Sequence, residues 1–281
     1  VVWKEIRVAV LCGVCLAAAN FVKMMVVDRW LMHNPEVTPL VALVVCVYSQ
    51  GYIHGRHQGR YWFFLLLTFA SLAGIVSSSD APGLYGYWEL MTFASYFLVV
   101  HEGRRSAFDA GLKYYIMCAG GALFMLPGLL MLGQGFVPTP VVQAAFVLCL
   151  AGFGVKAGLV PLHSWLPDAH PAAPSSVSAP LSGIITKMGI FGIVAVLLMR
   201  PMVSSLPGLF GLSWLGTGLV FTGAPTLILG EVMALRQDDI KRMLAYSTLG
   251  QIGEIALVLG IGTWLSTTGA LWHMFNHAIM K

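Results

Sequence analysis

The sequence predicts an all-α polytopic membrane protein, and three observations carry that reading. Of its 281 residues 58% are apolar and only 10% charged, where a soluble domain has about a quarter of its residues charged. The mean hydropathy is +0.80. Apolar runs of roughly 20 residues, the length that crosses a bilayer as a helix, recur along the chain, and no window shows the short alternating segments of a transmembrane barrel. The formal charge of +4 is small and scattered, so nothing points to nucleic acid as a partner; the partner implied throughout is the lipid bilayer.

The elements follow in order. A first span runs from about Arg7 to Val27. Lys4 and Arg7 ahead of an apolar core and the small residues from Leu16 to Ala19 imitate a secretory signal, but the apolar run continues to Val27, which reads as a membrane helix. Further spans run from Thr38 to Ile53, Tyr61 to Ser77, Leu84 to Val100, Ala110 to Leu132 and Val141 to Val160. Three more run from Val177 to Met199, Leu209 to Leu235 and Met243 to Ile261, and a tenth begins near Thr268. Polar or Pro/Gly-containing turns bound each of them. The expectation is a single transmembrane domain over 1–281 with ten helices, nine complete; Val1 in place of Met and a stop at Lys281 inside a helical pattern predict truncation at both ends.

Orientation comes from the cations in the connections, because Lys and Arg are retained on the cytoplasmic side. Lys4, Arg7, Arg56, Arg60, Arg104, Arg105, Arg236, Lys241 and Arg242 fall on the side of the N-terminus, against Arg29 and Arg200 opposite. This bias places Val1 and the 163–176 hairpin in the cytoplasm. Five cysteines, Cys12, Cys15, Cys46, Cys118 and Cys149, all lie in apolar runs. Cys12 and Cys15 form a CxxC without His or further Cys nearby, so they read as small buried residues and not as a metal or redox site.

The chemistry concentrates between Ala151 and Gly192. Lys156 lies some fifteen residues into the sixth span and Lys187 about ten from either end of the seventh, and a lysine at membrane depth is expensive and usually functional. Pro161 cannot supply the amide that would bond the carbonyl of Ala157, so the sixth helix is expected to break between Lys156 and Pro161. Broken helices beside buried charges are how transporters build ion sites at mid-depth.

Other polar residues join them. Glu89, in WELM, has only Thr92 and Ser95 within a helical turn; such a carboxylate must protonate or find a cation, unless it sits in the headgroup region. Lys113 lies one turn into the fifth span, where snorkelling to the surface competes with a site role. His273, His277 and Lys281 recur at i, i+4, i+8 on one helix face, a spacing at which single waters bridge proton-exchanging groups. Zinc is the rival reading for the two histidines, but HMFNH has no Glu beside the first and no third ligand; interhelical hydrogen bonding is the other. His163 and Asp168 in the hairpin and Glu254 in the ninth span are additional candidates.

At WELM, at VKAGLVPLHSWLPDAHPAAPSSVSAPLSGIITKMGIFG, at DDIKRMLAYSTLGQIG and at HMFNHAIMK, in that order from about Gln50 to Lys281, the chain resembles the antiporter-like subunits of respiratory complex I, Mrp cation/proton antiporters and group 4 membrane-bound hydrogenases of the formate hydrogenlyase kind. The resemblance implies a fourteen-helix antiporter-like fold of which this chain holds the second to eleventh helices. It implies that Glu89 is the fifth-helix glutamate, Lys113 the sixth-helix lysine, Lys156 the broken-helix lysine and Lys187 the eighth-helix bridging residue. His273, His277 and Lys281 fall on the eleventh-helix relay. Glu254 departs from the pattern and is expected to add a proton site or to pair with a neighbouring lysine.

The expected function is that of a non-redox, proton-translocating subunit of an ion-pumping respiratory or hydrogenase complex in a bacterial or archaeal cytoplasmic membrane, with an organelle inner membrane as the alternative. Protons would pass from Lys156 to Lys187 and on to His273, His277 and Lys281. The chain would not be catalytic alone and would bind no cofactor or metal; electron transfer would belong to partner subunits of an NADH:quinone oxidoreductase or a hydrogenase. A sodium or potassium/proton antiporter subunit of Mrp type and a structural membrane subunit without transport are the alternatives.

Overall fold

A computed structural model describes residues 49, 53, 58–133, 138–198 and 206–281. The expected first span, nearly all of the second, Cys12, Cys15 and Cys46 lie outside the described residues. The chain then runs up and down as α1 (Gln58–Ser77), α2 (Ala81–Val99), α3 (Arg105–Leu132) and α4 (Thr139–Ala157). A short α5 (Leu166–Ala172) follows, then α6 (Ser175–Leu197), α7 (Trp214–Ala234), α8 (Ile240–Ile261) and α9 (Trp264–Met280). Six of these helices are long and apolar enough to cross a membrane. The starts of α2, α7, α8 and α9 are fixed by side chains that satisfy the first free amides. Asp80 accepts from Gly83 N, Ser213 from Gly216 N and Asp239 from Lys241 N, while Thr263 and Ser266 form a reciprocal capping box.

Large apolar side chains such as Phe63, Ile116, Leu123 and Ile228 are exposed on the outside of the bundle. This is where a lipid-facing helix puts them, since apolar surface there costs nothing in hydrocarbon. The core is α6, with 89% of its span buried. It packs against α4 and, through its first half, against α9; α7 pairs with α8, and α5 rests on α3 and α8. Pro180 has no N–H to return to the preceding turn, and the helix widens there into a π-helical stretch, Leu181–Ile185, with a second at Ile193–Leu198.

The expected break is present between Lys156 and Pro161, but its cause differs. α4 ends at Ala157, three residues before the Val160 expected, because Gly158 takes the left-handed conformation (φ 82°) and closes the helix with Gly158 N and Leu159 N both on Gly154 O at 2.9 Å. That cap favours glycine for want of a Cβ. Pro161, after a cis peptide bond, lies beyond the end and does not make it. Val160 N then finds Thr226 Oγ1 on α7 at 2.8 Å, which leaves no need to invoke water for this amide.

The 163–176 hairpin includes α5, whose Leu166, Ala169 and His170 are buried together with Trp165. The polar letters mislead here because Pro167 and Asp168 occupy a first helical turn, where proline and acid are favourable, while the opposite face is apolar. Pro167, Asp168 and Ala172 share a cavity of about 500 Å³ with Arg104, Lys113 and Arg242, and Lys241 Nζ donates to Ala173 O at 2.9 Å.

Candidate functional site

Lys156 comes from the last turn of α4 and is 1% exposed. Its Nζ donates to Thr92 Oγ1 on α2 at 2.9 Å and to Tyr114 Oη on α3 at 3.0 Å, and Ser95 Oγ extends the network to Tyr114 at 2.6 Å. Both partners are neutral hydroxyls. Hydrogen bonds to a charged group contribute roughly 1.5–3 kcal/mol each, against a desolvation cost of several kcal/mol for a buried ion. Glu89, one turn before Thr92, is the carboxylate that faces this lysine electrostatically, yet no ion pair within 4 Å joins them and Glu89 Oε1 is buried without a hydrogen-bond partner. Glu89 therefore stands beside the lysine and not on it. The sequence reading had Glu89, Thr92 and Ser95 but missed Tyr114. Lying next to Lys113, it is turned by about 100° around the helix, so that one points toward the end of the bundle and the other into it.

Lys187 is 1% exposed and reaches back to the carbonyl of Ser182, which also accepts from Thr186 Oγ1 at 2.8 Å. The π-helical stretch is what presents that carbonyl to side chains. The turn bearing Lys187 and the turn bearing Lys156 lie against each other: a Cβ on Gly189 would stand 2.5 Å from both Ala157 N and Phe153 O, so only glycine permits the approach. Across from Lys187, His277 on α9 is fully buried with both ring nitrogens unpartnered, and Lys187, Lys281 and His273 are the charged or titratable groups facing it.

The remaining candidates go elsewhere. Lys113 Nζ pairs with Asp168 Oδ2 at 2.7 Å, and Arg242 Nη2 pairs with Asp168 Oδ1 at 3.3 Å, all three partly exposed at the cavity on one membrane end. His273 Nε2 lies 3.6 Å from Glu254 Oε2, so the group beside Glu254 is a histidine and not the lysine that was one of its two expected roles. Lys281 Nζ donates to Leu244 O at 3.2 Å on α8. His163 sits in the turn between α4 and α5, partly buried, its Nδ1 without a partner. No group of three His, Cys, Asp or Glu that could hold a metal ion occurs among the described residues. A further residue, His170 on α5, is 3% exposed with Nε2 unpartnered; the only signal for it was a histidine one turn before a proline-rich end.

Comparison with known proteins agrees with this architecture. The family described as NADH:quinone oxidoreductase/Mrp antiporter, TM, matches residues 78–281. Hydrogenase-4 component B of Escherichia coli is 33% identical over 271 residues, covering 87% of this chain and 40% of that protein. NADH-quinone oxidoreductase subunit N of Desulforudis audaxviator is 34% identical over 259 residues, covering 85% of this chain and 50% of that protein. The chain thus spans half or less of the length of these relatives. Among solved structures, a chain of the Mrp complex from Dietzia sp. DQ12-45-1b superposes with a TM-score of 0.75 at 26% identity, covering 93% of this chain and 28% of that one. A chain of the membrane-bound sulfane sulfur reductase, an archaeal respiratory membrane complex, gives 0.72 at 24% identity, covering 96% and 68%, and shares the fold. The protein is an integral membrane, antiporter-like member of the NADH:quinone oxidoreductase/Mrp antiporter transmembrane family.

Proposed function

We propose that this chain carries protons across the membrane as a non-redox subunit of a larger complex, with Lys156 as the group that takes up and releases the proton. The observation that supports it most is the buried Lys156 ammonium held by two neutral hydroxyls, with Glu89 close by but unbonded. Burial favours the neutral amine and a nearby carboxylate favours the ammonium, so a shift of Glu89 or of its proton moves the lysine between holding and releasing. Lys187 and His277 continue the path on α6 and α9, and Lys281 ends it near the first turn of α8. A purely structural subunit would gain nothing from an ammonium kept without a counter-ion.

Other membrane subunits are its partners in this reading, because its relatives are named as components of hydrogenase and NADH-quinone oxidoreductase complexes. Those partners supply the redox chemistry and the driving energy. The membrane end with Arg104, Lys241 and Arg242 faces the cytoplasm by the positive-residue bias. The likeness to the Mrp chain supports a second reading in which Na+ or K+ is exchanged for protons.

Lys156→Ala is the test. In vesicles containing the assembled complex it abolishes proton transport while leaving assembly intact, and arginine does not rescue it because a guanidinium does not release its proton. Transport at the wild-type rate in Lys156→Ala overturns the proposal. A proton flux that depends on an imposed Na+ or K+ gradient selects the second reading.

A further inference from the structure

The cavity shared by the starts of α3 and α8 and by α5 takes no part in the path above. Its depth in the membrane follows from α3. That helix has 28 residues, and its three charges, Arg105, Asp109 and Lys113, all fall in the first nine. From Tyr114 to Leu132 it is uncharged, about 28 Å of helix against a hydrocarbon core of about 30 Å. The turns before Tyr114, which line the cavity with Ser106, Asp109 and Lys113, therefore stand at the depth of the lipid headgroups. On the adjoining face of α3, Phe108, Leu112 and Ile116 are exposed at i, i+4 and i+8, an apolar stripe that runs from beside the cavity into the hydrocarbon.

The lining carries three cations, Arg104, Lys113 and Arg242, and three carboxylates, Asp109, Asp168 and Asp239, so its charge sums to zero and a purely anionic ligand gains little from it. The carboxylates are not equivalent. Asp168 is shared by Lys113 and Arg242, and Asp239 accepts from the first amides of α8. Asp109 has no hydrogen-bond or ion-pair partner among the described residues. It lies one helical turn from Ser106 and one from Lys113, about 5–6 Å between Cβ atoms. Lys113 and Arg242 each give one N–H to Asp168 and keep others to donate. Donors suited to a phosphate thus stand one turn from a carboxylate suited to a cation.

We propose that this cavity binds the headgroup of a zwitterionic phospholipid of the phosphoethanolamine class, whose acyl chains lie along Phe108, Leu112 and Ile116. The phosphate accepts from Lys113, Arg242 and the hydroxyl of Ser106, and the primary ammonium, two carbons away, donates to Asp109. A trimethylated ammonium has no N–H to give, so a phosphocholine lipid is the poorer ligand. A phosphoglycerol headgroup supplies the phosphate but leaves Asp109 facing no cation. The apolar stripe selects a lipid over a soluble phosphate ester, because only a lipid has chains to lay on it.

The experiment replaces either Phe108, beside the cavity, or Leu123, exposed deeper on the same helix, by a photo-crosslinking benzophenone amino acid. The assembled complex is placed in vesicles of equal parts phosphatidylethanolamine, phosphatidylglycerol and phosphatidylcholine, and mass spectrometry identifies what each position captures. Phosphatidylethanolamine should be enriched about fivefold at residue 108 over residue 123, and Asp109→Asn should remove the enrichment. Equal lipid composition at the two positions overturns the proposal, as does an enrichment that survives in Asp109→Asn. Capture of a protein chain at residue 108 overturns it too, because a partner subunit then covers the cavity. Loss of the enrichment on adding inorganic phosphate, but not chloride at the same ionic strength, overturns the choice of a lipid over a soluble phosphate. The thermal midpoint of the unmodified complex in detergent needs no variant: added phosphatidylethanolamine should raise it more than phosphatidylcholine does, and equal effects of the two overturn the proposal.

Discussion

Trp165 donates its indole N–H to the carbonyl of Val155, 2.7 Å away, across the turn that ends α4. The residue after Val155 is Lys156, so the bond ties the turn carrying the buried lysine to the start of α5. Trp165→Phe keeps the ring against Tyr114 but removes the donor. The expected cost is about 1 kcal/mol, since Gly158 N still reaches Val155 O at 3.1 Å. Thermal unfolding of the purified protein in detergent measures it, and an unchanged midpoint refutes the role.

Tyr114→Phe takes one of the two hydroxyls from the Lys156 ammonium. Proton transport should fall by about tenfold, the equivalent of roughly 1.4 kcal/mol, with assembly unaffected. Thr92→Val should have a similar effect. Transport rates in vesicles decide it, and equality with the wild type for both variants would show that the ammonium is not held in this way during turnover.

Gly189→Ala should fail to assemble or be strongly destabilised, because the added Cβ meets backbone atoms of Ala157 and Phe153 that cannot give way. Overpacking of this kind costs at least about 1–3 kcal/mol. Gly120→Ala is the control: it has nothing within 4 Å and lies inside α3, so it should be neutral or stabilising by about 0.5–1 kcal/mol. Yield of folded protein after membrane extraction compares the two.

The Lys113 and Asp168 pair is partly exposed at the end cavity. A double-mutant cycle with Lys113→Met and Asp168→Asn should give a coupling energy of about 0.2–1 kcal/mol that shrinks in high salt. A salt-independent coupling of several kcal/mol would place the pair in a dry interior and return Lys113 to the buried path.

Sidedness is read from single cysteines in a background free of the native ones. Ser106→Cys lines the end cavity and Phe210→Cys lies in the connection before α7, where residue 210 is exposed. An impermeant thiol reagent should reach the first only from the cytoplasmic side and the second only from the other. The reverse pattern inverts the proposed orientation. Residue 158, by contrast, is unsuited to such a probe: a side chain there meets Leu249 and Leu166 and strains the left-handed backbone.

Among the described residues, the sequence alone determined what depends on composition and local spacing. Runs of apolar residues long enough for hydrocarbon specify the long helices, and their ends agree with the structure to within a few residues except at α3, which starts five residues earlier, α7, five later, and α9, four earlier. The cost of a lysine at membrane depth singled out Lys156 and Lys187 before any coordinates. Three features were decided only by tertiary contacts. The stop of α4 was assigned to Pro161, but Gly158 makes it, because the left-handed cap is completed by Leu166 and Leu249 packing around it and by Thr226 taking the next free amide. α5 was hidden because seven residues rich in proline and polar letters are too few for a periodic signal, and their burial comes from α3 and α8 far away in sequence. The partners of each charge were also unreadable. Lys113 and Tyr114 are neighbours in the chain but lie on different sides of one helix, so one meets Asp168 at the cavity and the other meets Lys156 in the core. Spacing fixes which residues share a helix face, and only the packing of one helix on another decides what that face meets.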